Sequence, residues 1–345
     1  MGVFRVLLLV GLSLLVVISE AAIPTKTLRQ INKANRDGPY LGLVIPNQFE
    51  LNPLLQHPSY KPSNLTIDVS GKRFRFGTVA GEKAILVMTG LAMVNSGITT
   101  QLLVTLFNLK GVIHHGIAGN ADPSLHIGDV AIPQYWSHSG LWNWQRYGDG
   151  PENPLALEAS GDYTRDIGYI KFANYSTTST DNFLNNVWYQ PEEVFPIDGT
   201  PEERQHIFWV PVDPHYFNLA KKLEEVTLEK CLNATLCLTY PPKIIRVARG
   251  TSASIYVDNA AYRSFIYDKF EVSPVEMESA AVALVCHQQR VPFITFRAIS
   301  DLAGGGTEES NEADAFTPLA STNAVEVVVQ FIKILSQSLV RANVN

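Results

Sequence analysis

Cysteine is scarce, with three in 345 residues. That is too few for a disulfide scaffold and one short of the four thiolates of an all-cysteine zinc site. Charge is thin as well. Asp, Glu, Lys and Arg together make up 17 % of the chain, against about 25 % in an average soluble domain, which excludes a highly charged disordered chain. What charge there is sums to -6, so no basic field exists to neutralise a phosphate backbone and no nucleic-acid partner is expected. After the first 22 residues no stretch reads as long and apolar enough for a bilayer crossing of about 20 residues; the Leu102–Leu109 region is interrupted by Thr105 and Asn108. What the chain does have is 46 % apolar residues, ample for a sizeable core.

The start of the chain differs from the rest. Arg5 precedes an apolar run, Val6–Ile18, broken only by Gly11 and Ser13, and Ser19-Glu20-Ala21-Ala22 follows with small residues where a signal peptidase cuts. Residues 1–22 therefore read as a secretory signal, and the mature chain is expected to be free of the membrane, in the secretory pathway and finally outside the cell or in a vacuole. Cys231 and Cys237 flank Leu-Asn-Ala-Thr-Leu; an oxidising compartment favours joining them, and two free thiols are the alternative. Cys286 sits among Val282, Leu284 and Val285 on an expected helix, where a buried inert thiol is the default. Asn64, Asn174 and Asn233 open Asn-x-Ser/Thr triplets, glycosylation acceptors that matter only if the chain is exported.

Further along, short apolar runs alternate with helical periods. Tyr40–Pro46 reads as a buried strand, Arg73–Val79 and Lys83–Thr89 as a hairpin around Ala80-Gly81-Glu82, and Asn95–Leu109 as a helix after a turn opened by Gly90. Gly111–His115 reads as a strand ending in the turn Gly116-Ile-Ala-Gly119, and Gly128–Tyr135 as another strand. Between about residues 141 and 211 the texture changes to Trp, Tyr, Asn, Thr and Pro, an insertion within one domain spanning 40–340. Helices are expected at Pro214–Lys230, Asp258–Phe270, Met277–Gln289 and Asn323–Leu339, with strands at Lys243–Arg249 and Pro292–Ile299. This alternation predicts an α/β fold, a three-layer α/β/α sandwich around a mixed, largely parallel sheet.

Ligands of such sheets sit at the carboxyl ends of the strands, and Glu50, Glu278 and Asp301 fall at such ends. Each has a plainer reading. Ser273-Pro-Val-Glu276 has the spacing of a capping box, Asp301 suits a helical cap, and Glu50 suits a solvated loop. His114-His115 invites a metal, but adjacent strand side chains point to opposite faces, so no metal site is expected.

The segment Val275–Asp301, with Val275-Glu-Met-Glu-Ser-Ala-Ala at one end and Thr295-Phe-Arg-Ala-Ile-Ser-Asp301 at the other, resembles the C-terminal signature of the nucleoside phosphorylase and nucleosidase superfamily. It is especially similar to that of the methylthioadenosine/S-adenosylhomocysteine nucleosidases. Leu41-Gly-Leu-Val-Ile, the Thr89-Gly-Leu-Ala-Met turn and Gly116-Ile-Ala-Gly-Asn with Gly128-Asp-Val support the likeness. The secretory start, the Trp-rich insertion and Thr251-Ser-Ala-Ser-Ile-Tyr-Val-Asp-Asn resemble the plant branch, which includes bark storage proteins.

The resemblance implies cleavage of the N-glycosidic bond of purine nucleosides. Asp301 would be the acid at N7 of the base, with Ser300 holding its carboxyl. Glu278 would grip the ribose hydroxyls, Met277 pack under the sugar, Glu50 deprotonate the attacking water and Arg297 orient it. The glycine turns would bring Gly90, Gly116 and Ala118 to the substrate, and Tyr256 is the candidate to stack on the base. His114 stands where the phosphorylases place a phosphate-binding Arg, and Ile117 where they place a Ser. A neutral histidine is a poor substitute for a permanent cation, so hydrolysis is favoured, phosphate being the co-substrate only in the phosphorolytic alternative. No cofactor is implied, and relatives usually associate as homo-oligomers. The plant likeness adds a different expectation, a nitrogen-storage protein on the same scaffold with little or no catalysis.

Overall fold

The computed structural model describes residues 23–144, 166–171, 186–305 and 313–342. The signal segment, Asn174 and much of the expected insertion lie outside them. In chain order the elements are α1 (Thr25–Asp37), β1 (Tyr40–Ile45), α2 (Gln48–Gln56), β2 (Tyr60–Val69), β3 (Lys72–Val79), β4 (Glu82–Met88), α3 (Ala92–Leu106), β5 (Leu109–Asn120) and β6 (Val130–His138). The region of the insertion supplies β7 (Trp142–Trp144), β8 (Tyr169–Lys171), β9 (Asn186–Tyr189), β10 (Glu192–Val194), β11 (Gln205–Ile207) and β12 (Val210–Pro211). The remainder is α4 (Pro214–Ala220), β13 (Ile244–Ser252), α5 (Ala260–Phe270), β14 (Val272–Glu276), α6 (Ser279–Gln288), β15 (Phe293–Leu302) and α7 (Ala313–Ala342).

The main sheet runs β12-β6-β13-β14-β5-β1-β4-β3-β2, with β15 pairing both β5 and β6. β1 lies parallel between β4 and β5, and β13 and β15 make their long pairings in parallel, while β2–β3–β4 is an antiparallel meander. β1 is apolar at every position except Gly42, as expected of an interior parallel strand. Its side chains alternate in destination. Leu41, Leu43 and Ile45 join a core with Leu51 and Leu54 of α2 and Val328, Phe331 and Ile332 of α7. Tyr40 and Val44 join a second core with Leu103 of α3 and Val282 and Cys286 of α6. Two cores on opposite faces are the three-layer arrangement.

One feature departs from a flat sandwich. The pairings β5–β15, β15–β6, β6–β13, β13–β14 and β14–β5 form a closed circuit of five strands. Rolling this half of the sheet gathers the ends of β5, β13, β14 and β15 into one place. β5 does not turn at Gly116. It continues through the glycines to Asn120, hydrogen-bonded to β15 on one side.

Other expectations shift. Ser273–Glu276 is strand, so it is no capping box. The segment from Pro214 keeps α-helical geometry only to Ala220 and tightens into a 3₁₀ turn at Lys221–Glu225. α3 begins three residues earlier than the periodicity suggests. The stretch Ala315–Ser338 within α7 is, by length and composition, apolar enough to cross a membrane, where the sequence reading saw none; 67 % of its most apolar window is buried inside the fold. The described parts of the insertion form the small sheet β7-β9-β8 and the ladder β10–β11, with Val187 and Tyr189 packed against Ile266 and Phe270 of α5. Cys231 and Cys237 are joined, with an S–S distance of 2.00 Å, and Cys286 is a buried free thiol. Asn64 and Asn233 are exposed.

Phe331 anchors α7 to the sheet, its ring 5.2 Å from that of Phe296 and 5.6 Å from that of Tyr216. Phe331→Ala is therefore expected to cost about 3–5 kcal/mol, read as a lower urea midpoint at unchanged slope.

Candidate active site

Asn47 caps α2 by accepting from the backbone N–H of Glu50 at 3.2 Å, which puts Glu50 in the first helical turn and points its carboxyl inward. The plain reading of Glu50 as a solvated loop residue is thus wrong. Oε1 accepts from the backbone N–H of Ile117 at 2.8 Å and lies 3.8 Å from Arg297 Nη1, while Oε2 is buried without a hydrogen-bond partner. Burial raises the Glu50 pKa to about 8 against the opposing pull of Arg297 and the Ile117 N–H, with Glu278 and Glu276 adding to the rise. The carboxyl crosses directly over Gly116, where a Cβ would collide with Glu50 Oε1 and Arg297 Nη1. Glycine is required there by close approach.

Arg297, on β15, is fully buried and satisfied on every side. Nε donates to Ser279 Oγ at 3.0 Å, Nη1 to the Ile117 carbonyl at 3.2 Å, and Nη2 meets the Glu276 carboxylate and His114 Nε2 and lies 3.7 Å from Glu278 Oε2. His114 Nδ1 lies 2.8 Å from the Val44 carbonyl. A carbonyl only accepts, so the proton is on Nδ1 and Nε2 offers its lone pair to the guanidinium. His114 is therefore neutral, its pKa held well below the ordinary value by burial and by Arg297.

Glu276 closes β14 and turns its carboxylate to the start of α6, accepting from the N–H groups of Glu278 and Ser279 at 3.0 Å and from Ser279 Oγ at 3.1 Å, and also from Ser252 Oγ. Ser252 Oγ in turn accepts from the N–H of Ala280 at 2.8 Å. Glu278 accepts from the N–H of Ala92, the first residue of α3, at 2.9 Å, and its pKa is raised by burial and by the Glu276 charge. Asp301, near the end of β15, is buried and accepts from Ser300 Oγ at 2.6 Å; the same hydroxyl lies 3.3 Å from the Ala118 carbonyl. Burial raises the Asp301 pKa, Ser300 opposes it and Asp258 reinforces it.

These groups line one cleft of about 260 Å³, a little below the roughly 300–1,000 Å³ of small-molecule pockets. Glu50, Ile117 and Ala118 form one wall, Glu276, Met277 and Glu278 another, Ser300 and Asp301 a third, and Ile255, Tyr256 and Val257 stand at the mouth. Tyr256 is 66 % exposed. Of the residues singled out from the sequence, the structure gathers Glu50, Ala118, Tyr256, Met277, Glu278, Ser300 and Asp301 here, with Gly116, His114 and Arg297 immediately behind the wall. Gly90 is not gathered. It has φ +83° and faces a neighbouring hollow with Lys72, Arg73 and Arg75, its N–H bonded to the Pro46 carbonyl.

Sequence reasoning missed Glu276, Ser252 and Ser279. The Glu-Met-Glu spacing was the available signal for Glu276, but Ser-x-x-Glu also fits a capping box, and only the pairing of β14 decides between them. His115 behaves as the strand rule predicts, pointing away from His114; it is buried with neither ring nitrogen bonded. Among the described residues no group of His, Cys, Asp and Glu is arranged to hold a metal.

The sequence model of the phosphorylase superfamily matches residues 40–333. Bark storage protein A of Populus deltoides is 30 % identical over 297 residues, covering 85 % of this chain and 88 % of that protein. The 5'-methylthioadenosine/S-adenosylhomocysteine nucleosidase of Bacillus cereus (strain AH187) is 28 % identical over 276 residues, covering 78 % and 88 %. Among solved structures, the corresponding nucleosidase of Helicobacter pylori superposes with a TM-score of 0.57 at 19 % identity, covering 85 % of this chain and 97 % of that one. At that identity the likeness concerns the fold.

The buried His115 generates a prediction. Its pKa is lowered to about 3, by burial first and Arg297 second, so its contribution to stability is complete above the unfolded value near 6.5 and is lost as the pH falls from there toward 3. Between pH 7 and pH 4.5 the urea midpoint of His115→Leu is expected to fall less than that of the unaltered protein. Equal falls would contradict this account.

Proposed function

Because this chain belongs to the phosphorylase superfamily, we propose that its cleft cleaves the N-glycosidic bond of purine nucleosides, with water as the acceptor. The observation that carries the choice of water is the state of Arg297. Its guanidinium is engaged at all three nitrogens and surrounded by Glu50, Glu276 and Glu278. A phosphate entering there would find no unpaired cation, and neutral His114 supplies none. Water needs no cation, and Glu50 Oε2 is a buried carboxyl oxygen without a protein partner in the cleft wall.

The C1′–N9 pair leaves with the base while Asp301 gives its proton to N7. The water oxygen bonds to C1′, and the water proton passes to Glu50. Asp301 must hold a proton beforehand, and its burial beside Asp258 favours that. Burial raises the Glu50 pKa to about 8, so Glu50 must first release its proton to solvent, and only the molecules in which it is ionised take the water proton. On this reading Glu278, tied to Ala92, takes the ribose hydroxyls, Met277 packs under the ring and Tyr256 covers the base. General acid and base assistance of this kind contributes about 10² to 10⁴ in rate each.

A second reading is favoured by the 30 % identity to a bark storage protein over most of both chains: a nitrogen reserve with little turnover. The buried ionic cluster argues for chemistry, because ion pairs of this kind rarely improve stability over an apolar core. Passage through the secretory pathway to the cell exterior or a vacuole is part of the proposal, supported by residues 1–22 and the joined Cys231–Cys237 pair. Glycosylation at Asn64, Asn174 and Asn233 belongs with it. Self-association is supported by the exposed apolar residues Phe49, Leu91, Val94 and Ile98.

Purified protein is expected to release free base from adenosine, inosine or methylthioadenosine equally well with and without phosphate; strict phosphate dependence would overturn the choice of water. Asp301→Asn should lower turnover about 10² to 10⁴-fold with an unchanged thermal midpoint, and near-normal turnover in that variant would remove the acid from the mechanism. A sensitive assay negative on all three nucleosides would favour storage.

A further inference from the structure

The chain leaves β15 immediately beyond the acid, through Ala303, Gly304 and Gly305, and the first turn of α5 holds that exit from two sides. Gly304 has φ +76°, and a Cβ on it would collide with the backbone of Asn259, the residue whose side chain caps α5 by accepting from the Tyr262 N–H at 2.8 Å. From the other side, Arg263 Nη1 reaches three successive carbonyls, those of Ala303 at 3.4 Å, Gly304 at 3.1 Å and Gly305 at 3.4 Å. Ala303 is itself buried, and its N–H donates to the Asn120 carbonyl at 3.1 Å. Asp301 therefore lies between two fixed points, Ser300 bonded toward β5 and the exit seated on α5. Arg263 does not face the cleft. It lines a separate hollow with Asp122, His126 and Tyr267.

We infer that Arg263 is a positioning residue for the leaving-group acid: by clipping the three carbonyls that follow β15 it fixes where the Asp301 carboxyl meets the base. This rests on the reading of Asp301 given above. Proton transfer tolerates little misplacement, an error of about 1 Å being enough to cost roughly 10²-fold. The clip matters only when the departing group needs a proton. Loosening it spares a group that leaves as a stable anion, whereas general damage to the fold or to the sugar site slows every substrate alike.

The experiment compares inosine with 4-nitrophenyl β-D-ribofuranoside, whose nitrophenolate departs unprotonated, using the full chain with Arg263→Ala and, as the variant closer to the native charge, Arg263→Lys. On inosine, Arg263→Ala is expected to lower kcat about tenfold to hundredfold with KM within about twofold, and Arg263→Lys to recover part of the loss. On the aryl riboside both variants should stay within about twofold of the unaltered protein. Equal losses on both substrates, or none on inosine, would overturn the inference and leave the reading of the site intact. If the unaltered protein releases no base from purine nucleosides, the reading and the inference fall together.

Discussion

One buried guanidinium organises this site. Arg297 stands at zero exposure with three carboxylates around it, and the arrangement holds together only because each charge has a designated partner. Glu276 takes the backbone N–H groups at the start of α6 together with Arg297. Burial pushes Glu50 and Glu278 toward their protonated forms, and the longer contacts with Arg297 oppose it only in part. The imbalance is chemically useful. A cation shared among three acids leaves two of them able to gain or lose a proton near neutrality, a condition for acid–base work.

The rolled half of the sheet makes this geometry. Four strand ends meet because β5, β15, β6, β13 and β14 pair in a closed circuit, so residues far apart in sequence, Glu50, Arg297, Glu276 and Ser252, join in one continuous run of contacts. Sheet closure also explains Gly116. The Glu50–Arg297 contact passes over the backbone of β5, and any side chain there would separate the pair.

Much of this was legible in advance. The continuous apolar run of β1, the hairpin at Gly81 and the carboxylates at strand ends follow from local pattern, and the likeness of Val275–Asp301 to a known signature supplied the roles. What local pattern could not supply was long-range pairing. Gly116-Ile-Ala-Gly119 has the composition of a turn, yet pairing with β15 keeps it extended. Ser273-Pro-Val-Glu276 has the spacing of a helix cap, yet pairing with β13 and β5 makes it strand and sends Glu276 into the ion cluster. Gly90 follows a strand as a substrate loop would, yet its positive φ and its bond to Pro46 face it into the adjoining hollow. In each case the deciding contact lies on another element, beyond the reach of a sequence window.

A storage protein and a nucleosidase can share this scaffold, since fold does not dictate reaction, and the account of the site depends on where an oxygen atom goes. The direct measurement is incubation with inosine in ¹⁸O-labelled water containing phosphate, followed by mass analysis of the sugar product. Free ribose in an amount equal to the base released, with no ribose 1-phosphate, is the predicted result. Unlabelled ribose 1-phosphate, or no base at all, would contradict it.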